Sequence, residues 1–172
     1  MSSLYLFDTV QTQLGPLTIV VDRSGALTEL FTSDATAKLS SHQAYRQDPK
    51  AVEEPRRQLE EYARGVRREF TLELAPLGSS FQKAVWEQLM LIPYGETRTY
   101  GQLATILGKP NGSRAVGRAN ATNPIGIVVP CHRLIGHNGD LTGYAGGLPL
   151  KRKLLELEGF LKPMRFDICD SN

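Results

Sequence analysis

The chain opens with short apolar runs separated by turn residues. Leu4–Thr9, Leu17–Val21 and Ala26–Phe31 are divided by Leu14-Gly15-Pro16 and by Asp22-Arg23-Ser24-Gly25. Runs of that length bounded by such signals predict strands, here a small antiparallel sheet. Residues 33–50 are polar and aperiodic. Leu59, Tyr62, Ala63 and Val66 then recur at helical spacing between charges after Pro55, which predicts an amphipathic helix over 52–66. Phe70, Leu72 and Leu74 alternate with Thr71 and Glu73 and predict one more strand. Ala75-Pro76-Leu77-Gly78-Ser79-Ser80 has linker composition, with Ser79 or Ser80 placed to cap a helix. The expected division is a sheet-and-helix domain over 1–77 and a second domain over 78–172.

Beyond residue 78 the period becomes helical. Phe81, Val85, Trp86, Leu89 and Met90 recur every three or four positions until Ile92-Pro93-Tyr94-Gly95 stops the helix. Thr99 opens a second short helix whose inner face is Leu103, Ile106 and Leu107, ended by Gly108, and a third runs from Ser113 to Ala121. Two short helices joined by a tight glycine-containing turn fit a helix-turn-helix, although helical hairpins also fill cores. The third helix carries Ser113, Ala115, Gly117, Ala119 and Ala121, with Arg114 and Arg118 one turn apart. So little bulk suits either close helix packing or a backbone that lies against a narrow groove of nucleic acid. A last helix has Leu150, Leu154 and Leu161 as its apolar stripe and Glu158 along its edge; Glu156 falls on the Arg152 face.

Composition narrows the classes. With 172 residues, 41% of them hydrophobic, the chain supports one ordinary domain or two small ones. No apolar run reaches the length of a membrane span or a secretory signal, so a cytoplasmic protein without membrane association is expected. The net charge of +2 conceals an asymmetry, because residues 1–80 carry 9 basic and 11 acidic side chains while 81–172 carry 11 and 7. Thr97–Gly139 holds five Lys or Arg and no acid, a tract on which something negatively charged can dock. Two cysteines, Cys131 and Cys169, make neither a disulfide framework nor a zinc pattern. A metal site built from Cys131, His132, His137 and His42 is awkward and lacks a close fourth ligand, so no metal is expected.

The candidate chemistry lies in Asn123-Pro124-Ile125-Gly126-Ile127-Val128-Val129-Pro130-Cys131-His132-Arg133-Leu134. The run Ile125–Val129 reads as a buried strand or extended segment that delivers Cys131 at its end. A thiolate stabilised by a histidine is a strong nucleophile. Adjacent residues on extended backbone point to opposite sides, so Cys131 and His132 cooperate only if the chain turns there. The plainer alternative is a small buried cysteine beside a surface histidine.

Pro130-Cys131-His132-Arg133, preceded by Asn123-Pro124 and Ile127-Val128-Val129 and followed by Gly143-Tyr144-Ala145-Gly146-Gly147, resembles the O6-alkylguanine-DNA alkyltransferase family. Tyr94-Gly95-Glu96, Tyr100, Arg114-Ala115-Val116-Gly117 and Leu157-Glu158-Gly159 extend the likeness over about 80–159. The resemblance implies an α/β (α+β) protein with an RNase H-like amino-terminal sheet and helix, followed by a mainly helical domain with a winged helix-turn-helix. It implies a monomer with no obligate protein partner, acting on double-stranded DNA that contains O6-alkylguanine and, more weakly, O4-methylthymine. The base is flipped out and its alkyl group moves irreversibly to the protein's own cysteine. On the family's pattern Cys131 is the acceptor, His132 its general base through a water, and Glu158 the carboxylate that orients the histidine. Arg114 is the finger that fills the stack, within a recognition segment that includes Ser113 and Ala115. Tyr100 helps rotate the target, and Asn123 is the hinge to the active-site segment. Tyr144, Ala145 and Leu134 line the alkyl pocket; some family members have serine at the position of Ala145. Two other readings compete with this one. A non-catalytic binder of alkylated DNA is opposed by Cys131, and a cysteine hydrolase leaves the basic tract without a purpose.

Overall fold

Alternation along β2 decides how the first sheet is covered. β1 (Tyr5–Thr12), β2 (Gly15–Val21) and β3 (Leu27–Phe31) pair antiparallel in the computed structural model, which describes residues 4–163. Leu17, Ile19 and Val21 join the main core, whereas Val20 joins Phe7, Ala35 and Leu39 in a smaller cluster. A period of two separates those sets onto opposite faces. The polar stretch read as aperiodic holds α1 (Thr36–Ser40) and β4 (Tyr45–Gln47), elements too short to leave a periodic signal. β4 pairs parallel with β1, so the order is β3-β2-β1-β4 and the sheet is mixed, not purely antiparallel.

α2 (Glu53–Ala63) lays Leu59, Tyr62 and Ala63 on the main core, as their spacing requires. It ends three residues before the expected limit because Gly65 adopts φ 73°, a left-handed cap, and Val66 is left exposed. The expected strand at 70–74 is reduced to one bridge between Leu74 and Leu27. There the buried Gln58 amide satisfies the Thr71 backbone N–H and donates to the Thr71 hydroxyl, replacing ladder bonds by side-chain ones.

α3 (Ser80–Met90) and α4 (Tyr100–Ile106) each start on a reciprocal capping box, Ser79 with Gln82 and Thr99 with Gln102. α5 (Ser113–Ala121) packs against both, and the Trp86 indole N–H donates to the Ala119 carbonyl at 2.9 Å. β5 (Arg98–Thr99) pairs parallel with β6 (Leu134–Ile135), tying the entry of α4 to the segment after Cys131. α6 (Leu148–Leu157) buries Lys151, Leu154 and Leu155, and Glu158 caps its end. Leu161 lies past that end, so the buried face is not the leucine stripe expected from spacing. The main core contains Leu27 and Tyr62 from the first 77 residues together with Trp86 and Leu154 from the rest. Leu30 of β3 donates its N–H to the Pro124 carbonyl, which holds the cysteine segment against the sheet. Cys169 lies outside the described residues.

Candidate active site

The segment expected as a strand doubles back instead. Val128 N–H donates to the Gly126 carbonyl at 2.9 Å around Ile127, whose φ of 72° makes it the only non-glycine residue with positive φ among the described residues. Such three-residue turns are rare and strained, and β-branched residues enter them only when their surroundings hold them there. Ile127 is fully buried. Asn123 supplies part of the hold: its Nδ2 donates to the Val129 carbonyl at 2.9 Å, and its Oδ1 accepts from Ile125 N–H at 3.0 Å. The chain then enters a 3-10 turn at Cys131–Arg133, so Cys131 and His132 are not on extended backbone.

Cys131 is 4% exposed and forms no disulfide among the described residues. Burial pushes its thiol up, against opposing help from the Asn123 amide, the Lys151 charge and the Ile127 backbone. The resting group is therefore the neutral thiol, and any chemistry through sulfur has to remove its proton.

Next to it, His132 is held in a cluster built around Glu158. His132 Nε2 lies 2.8 Å from Glu158 Oε1, and Arg133 grips the same carboxylate through Nε to Oε2 and Nη2 to Oε1, both at 2.9 Å. Arg133 also donates through Nη1 to the Ile92 carbonyl at 2.6 Å, and Tyr62 Oη donates to Glu158 Oε1 at 2.6 Å. Burial works against the Glu158 charge, but the bonds from His132 and Arg133 outweigh it and hold its carboxyl down at about 2. An ionised carboxylate only accepts, so His132 Nε2 carries the proton and Nδ1 presents its lone pair. Nδ1 is buried and has no hydrogen-bond partner among the described residues. Burial pushes the imidazole down more than Glu158 draws it up, so His132 is neutral at pH 7. A neutral imidazole with a free Nδ1 can take a proton and pass the resulting charge to Glu158.

A second buried cation, Lys151, acts on Cys131. Lys151 Nζ donates to the carbonyls of Leu134 and Thr142, the latter at 2.7 Å, and so clamps the loop 134–142 over the site. Burial lowers its pKa to about 8. Tyr100 Oη donates to the Thr142 carbonyl at 3.1 Å, and the Tyr144 hydroxyl is buried without a partner among the described residues. Both phenols are pushed up by burial and by the charge Cys131 would carry. Ala145 is exposed on the loop rim, while the Leu134 side chain is fully buried in the core. On α5, Arg114, Ala115 and Arg118 are exposed and Ser113 is half-buried, whereas Val116, Ala119 and Asn120 face inward. Asn120 Nδ2 reaches the Cys131 carbonyl at 3.5 Å, linking this helix to the backbone of Cys131.

Tyr62, Arg133 and Lys151 were not singled out from sequence. For Lys151 a signal exists, since it precedes Leu154 by three and Glu158 by seven and therefore shares their face. Arg133 stands inside the quoted motif but reads as one more basic residue of the tract. For Tyr62 there is none, because only the fold carries it to a residue 96 positions later.

Residues 80–160 match the family model for the 6-O-methylguanine DNA methyltransferase, DNA binding domain. The methylated-DNA–protein-cysteine methyltransferase of Methanosarcina acetivorans is 47% identical over 149 residues, covering 87% of this chain and 95% of that protein. The crystal structure of Mycobacterium tuberculosis O6-methylguanine methyltransferase superposes with a TM-score of 0.81 at 44% identity, covering 90% of this chain and 93% of that one. Mycobacterium tuberculosis OGT in complex with DNA gives a TM-score of 0.79 at 45% identity, with 90% and 91% covered. Likeness over nearly the whole length, with a buried cysteine set beside a carboxylate-held histidine, places this chain in the methylated-DNA–protein-cysteine methyltransferase family.

Proposed function

We propose that this protein repairs duplex DNA by extruding O6-methylguanine, and more weakly O4-methylthymine, and moving the methyl group to Cys131 Sγ. The observation that carries the reading is the pairing of a buried neutral thiol with a histidine whose Nε2 is locked on Glu158 and whose Nδ1 is free. Sulfur attacks the methyl carbon in line as the bond from carbon to O6 breaks, and the electron pair of that bond leaves with guanine. The thiol proton passes through a water to His132 Nδ1, Glu158 stabilises the imidazolium, and a proton ends on the departing base. Tyr100 and backbone N–H groups of the 143–147 loop stabilise negative charge developing on guanine. The thioether is stable, so each molecule acts once. Residues 78–172 carry the DNA-contacting and transferring groups; the protein acts as a monomer in the cytoplasm and needs no metal or organic cofactor.

Arg114 supports the extrusion step, since it is exposed on the outward side of α5 beside Arg118 in a tract without acids. In this reading it enters the stack where the base left. Unstacking a base costs a few kcal/mol, so Arg114→Ala is expected to slow transfer from duplex by roughly tenfold to a hundredfold. Transfer from a short single strand, where little stacking opposes extrusion, retains its rate; equal slowing on both substrates would remove the finger role. The one-use claim is tested by mixing limiting protein with excess O6-methylguanine duplex. Repair should stop at one lesion per protein molecule, and continued turnover would refute it.

A further inference from the structure

We infer that Tyr62, from the amino-terminal half of the chain, is a positioning residue for the transfer reaction, acting through Glu158 to set the basicity of His132. The inference rests on the function proposed above for Cys131 and His132. Tyr62 is fully buried on α2, its ring packed on Phe70 and edge-on to Tyr94 with centroids 5.3 Å and 6.2 Å away. Its hydroxyl is spent on one atom, Glu158 Oε1, at 2.6 Å. The same oxygen accepts from His132 Nε2 and Arg133 Nη2, while Oε2 takes Arg133 Nε and the Gly95 N–H at 3.3 Å. Every lone-pair direction of the carboxylate is thus claimed, and Tyr62 competes with His132 for a single oxygen.

That competition has a sign. A donor on Oε1 draws charge away from the bond to His132 and weakens the pull of the carboxylate on an imidazolium. Without it, Glu158 favours the protonated ring more strongly, and His132 gains its second proton at higher pH. The groups facing this pair are Arg133 beside it, Lys151 on α6, Tyr94 in the loop after α3, and Cys131 and Tyr144 across the site. Arg133 and Lys151 oppose the imidazolium, and Tyr62 works in the same direction without carrying charge. A phenol held well above 10 by burial and by the Glu158 charge stays a donor throughout the working range.

The test is the pH dependence of single-turnover methyl transfer together with a direct titration of the His132 ring by nitrogen-15 NMR in the whole protein. In Tyr62→Phe, which keeps the ring packing, the acidic limb and the ring titration should both move to higher pH, leaving transfer on that limb roughly threefold slower than wild type. Replacing Tyr62 by 3-fluorotyrosine, a more acidic phenol of nearly the same size, should move both in the opposite direction. A merely structural role would lower the melting temperature and slow transfer at every pH without moving the limb, and that result overturns the inference. Unmoved titrations in the fluorinated protein overturn it even if Tyr62→Phe folds poorly. If wild-type protein shows the ring titration but places no methyl on Cys131, the function proposed above falls, and this role falls with it.

Discussion

Cys131→Ser is expected to bind O6-methylguanine duplex as the wild type does and to transfer nothing measurable, a loss on the order of 10⁴-fold or more. The substitution is nearly isosteric, and the site around residue 131 is held by Asn123, the Ile127 turn and the 3-10 turn, none of which uses the sulfur as its anchor. What changes is chemistry. A buried hydroxyl is far harder to deprotonate than a thiol, and His132, pushed down by burial, is too weak a base to do so. Alkoxide oxygen is also a poorer nucleophile than sulfur toward a saturated carbon. Rapid-quench transfer and equilibrium binding, measured on the same preparation, separate the two properties. Appreciable transfer by the serine variant would mean that another residue accepts the methyl group.

Glu158→Gln should damage both stability and rate. Its carboxylate is the counter-charge for Arg133, whose guanidinium is nearly buried; an amide leaves that charge without a neutralising partner. Removing one member of a buried ion pair costs about 3–5 kcal/mol, to be read as a lower midpoint in urea unfolding. The amide can also offer its N–H to His132 and hold the other tautomer, with the proton on Nδ1, where it cannot act as a base. Transfer is expected to fall by roughly 10²- to 10⁴-fold. The wild-type protein should show the same dependence in acid. Glu158 is held at about 2 against an ordinary 4.5, so its contribution to stability is fully present above pH 4.5 and is lost as pH falls toward 2. Glu158→Gln should flatten that window of acid destabilisation, and an unchanged acid unfolding curve would show that the carboxylate is not the group responsible.

The carboxyl-terminal half was largely legible because its signals are local. Capping boxes at Ser79 and Thr99, glycine after α4 and the small-residue run of α5 fix where those helices begin and end. The pattern around Pro130-Cys131-His132-Arg133 points to the candidate nucleophile. Local signals failed where the backbone is held by distant partners. Ile125–Val129 is as apolar as a strand, yet Asn123 and the packing around Ile127 bend it into a turn that its β-branched composition disfavours. Residues 70–74 alternate like a strand, but Gln58 takes the place of a neighbouring strand. Lys151 looks like a solvated helix charge until two loop carbonyls are placed over it. The ring of donors around Glu158 draws on residues 62, 95, 132 and 133, and no spacing rule connects them.

Methyl transfer to Cys131 Sγ leaves a mark that can be weighed. Intact-protein mass spectrometry after incubation with duplex carrying a single O6-methylguanine reads it, followed by fragmentation of the peptide that contains residue 131. Each protein molecule should gain one methyl in place of one hydrogen, located on Cys131, with unmodified guanine restored in the DNA. An unchanged protein mass alongside repaired DNA, or a methyl group located on any other residue, would contradict it.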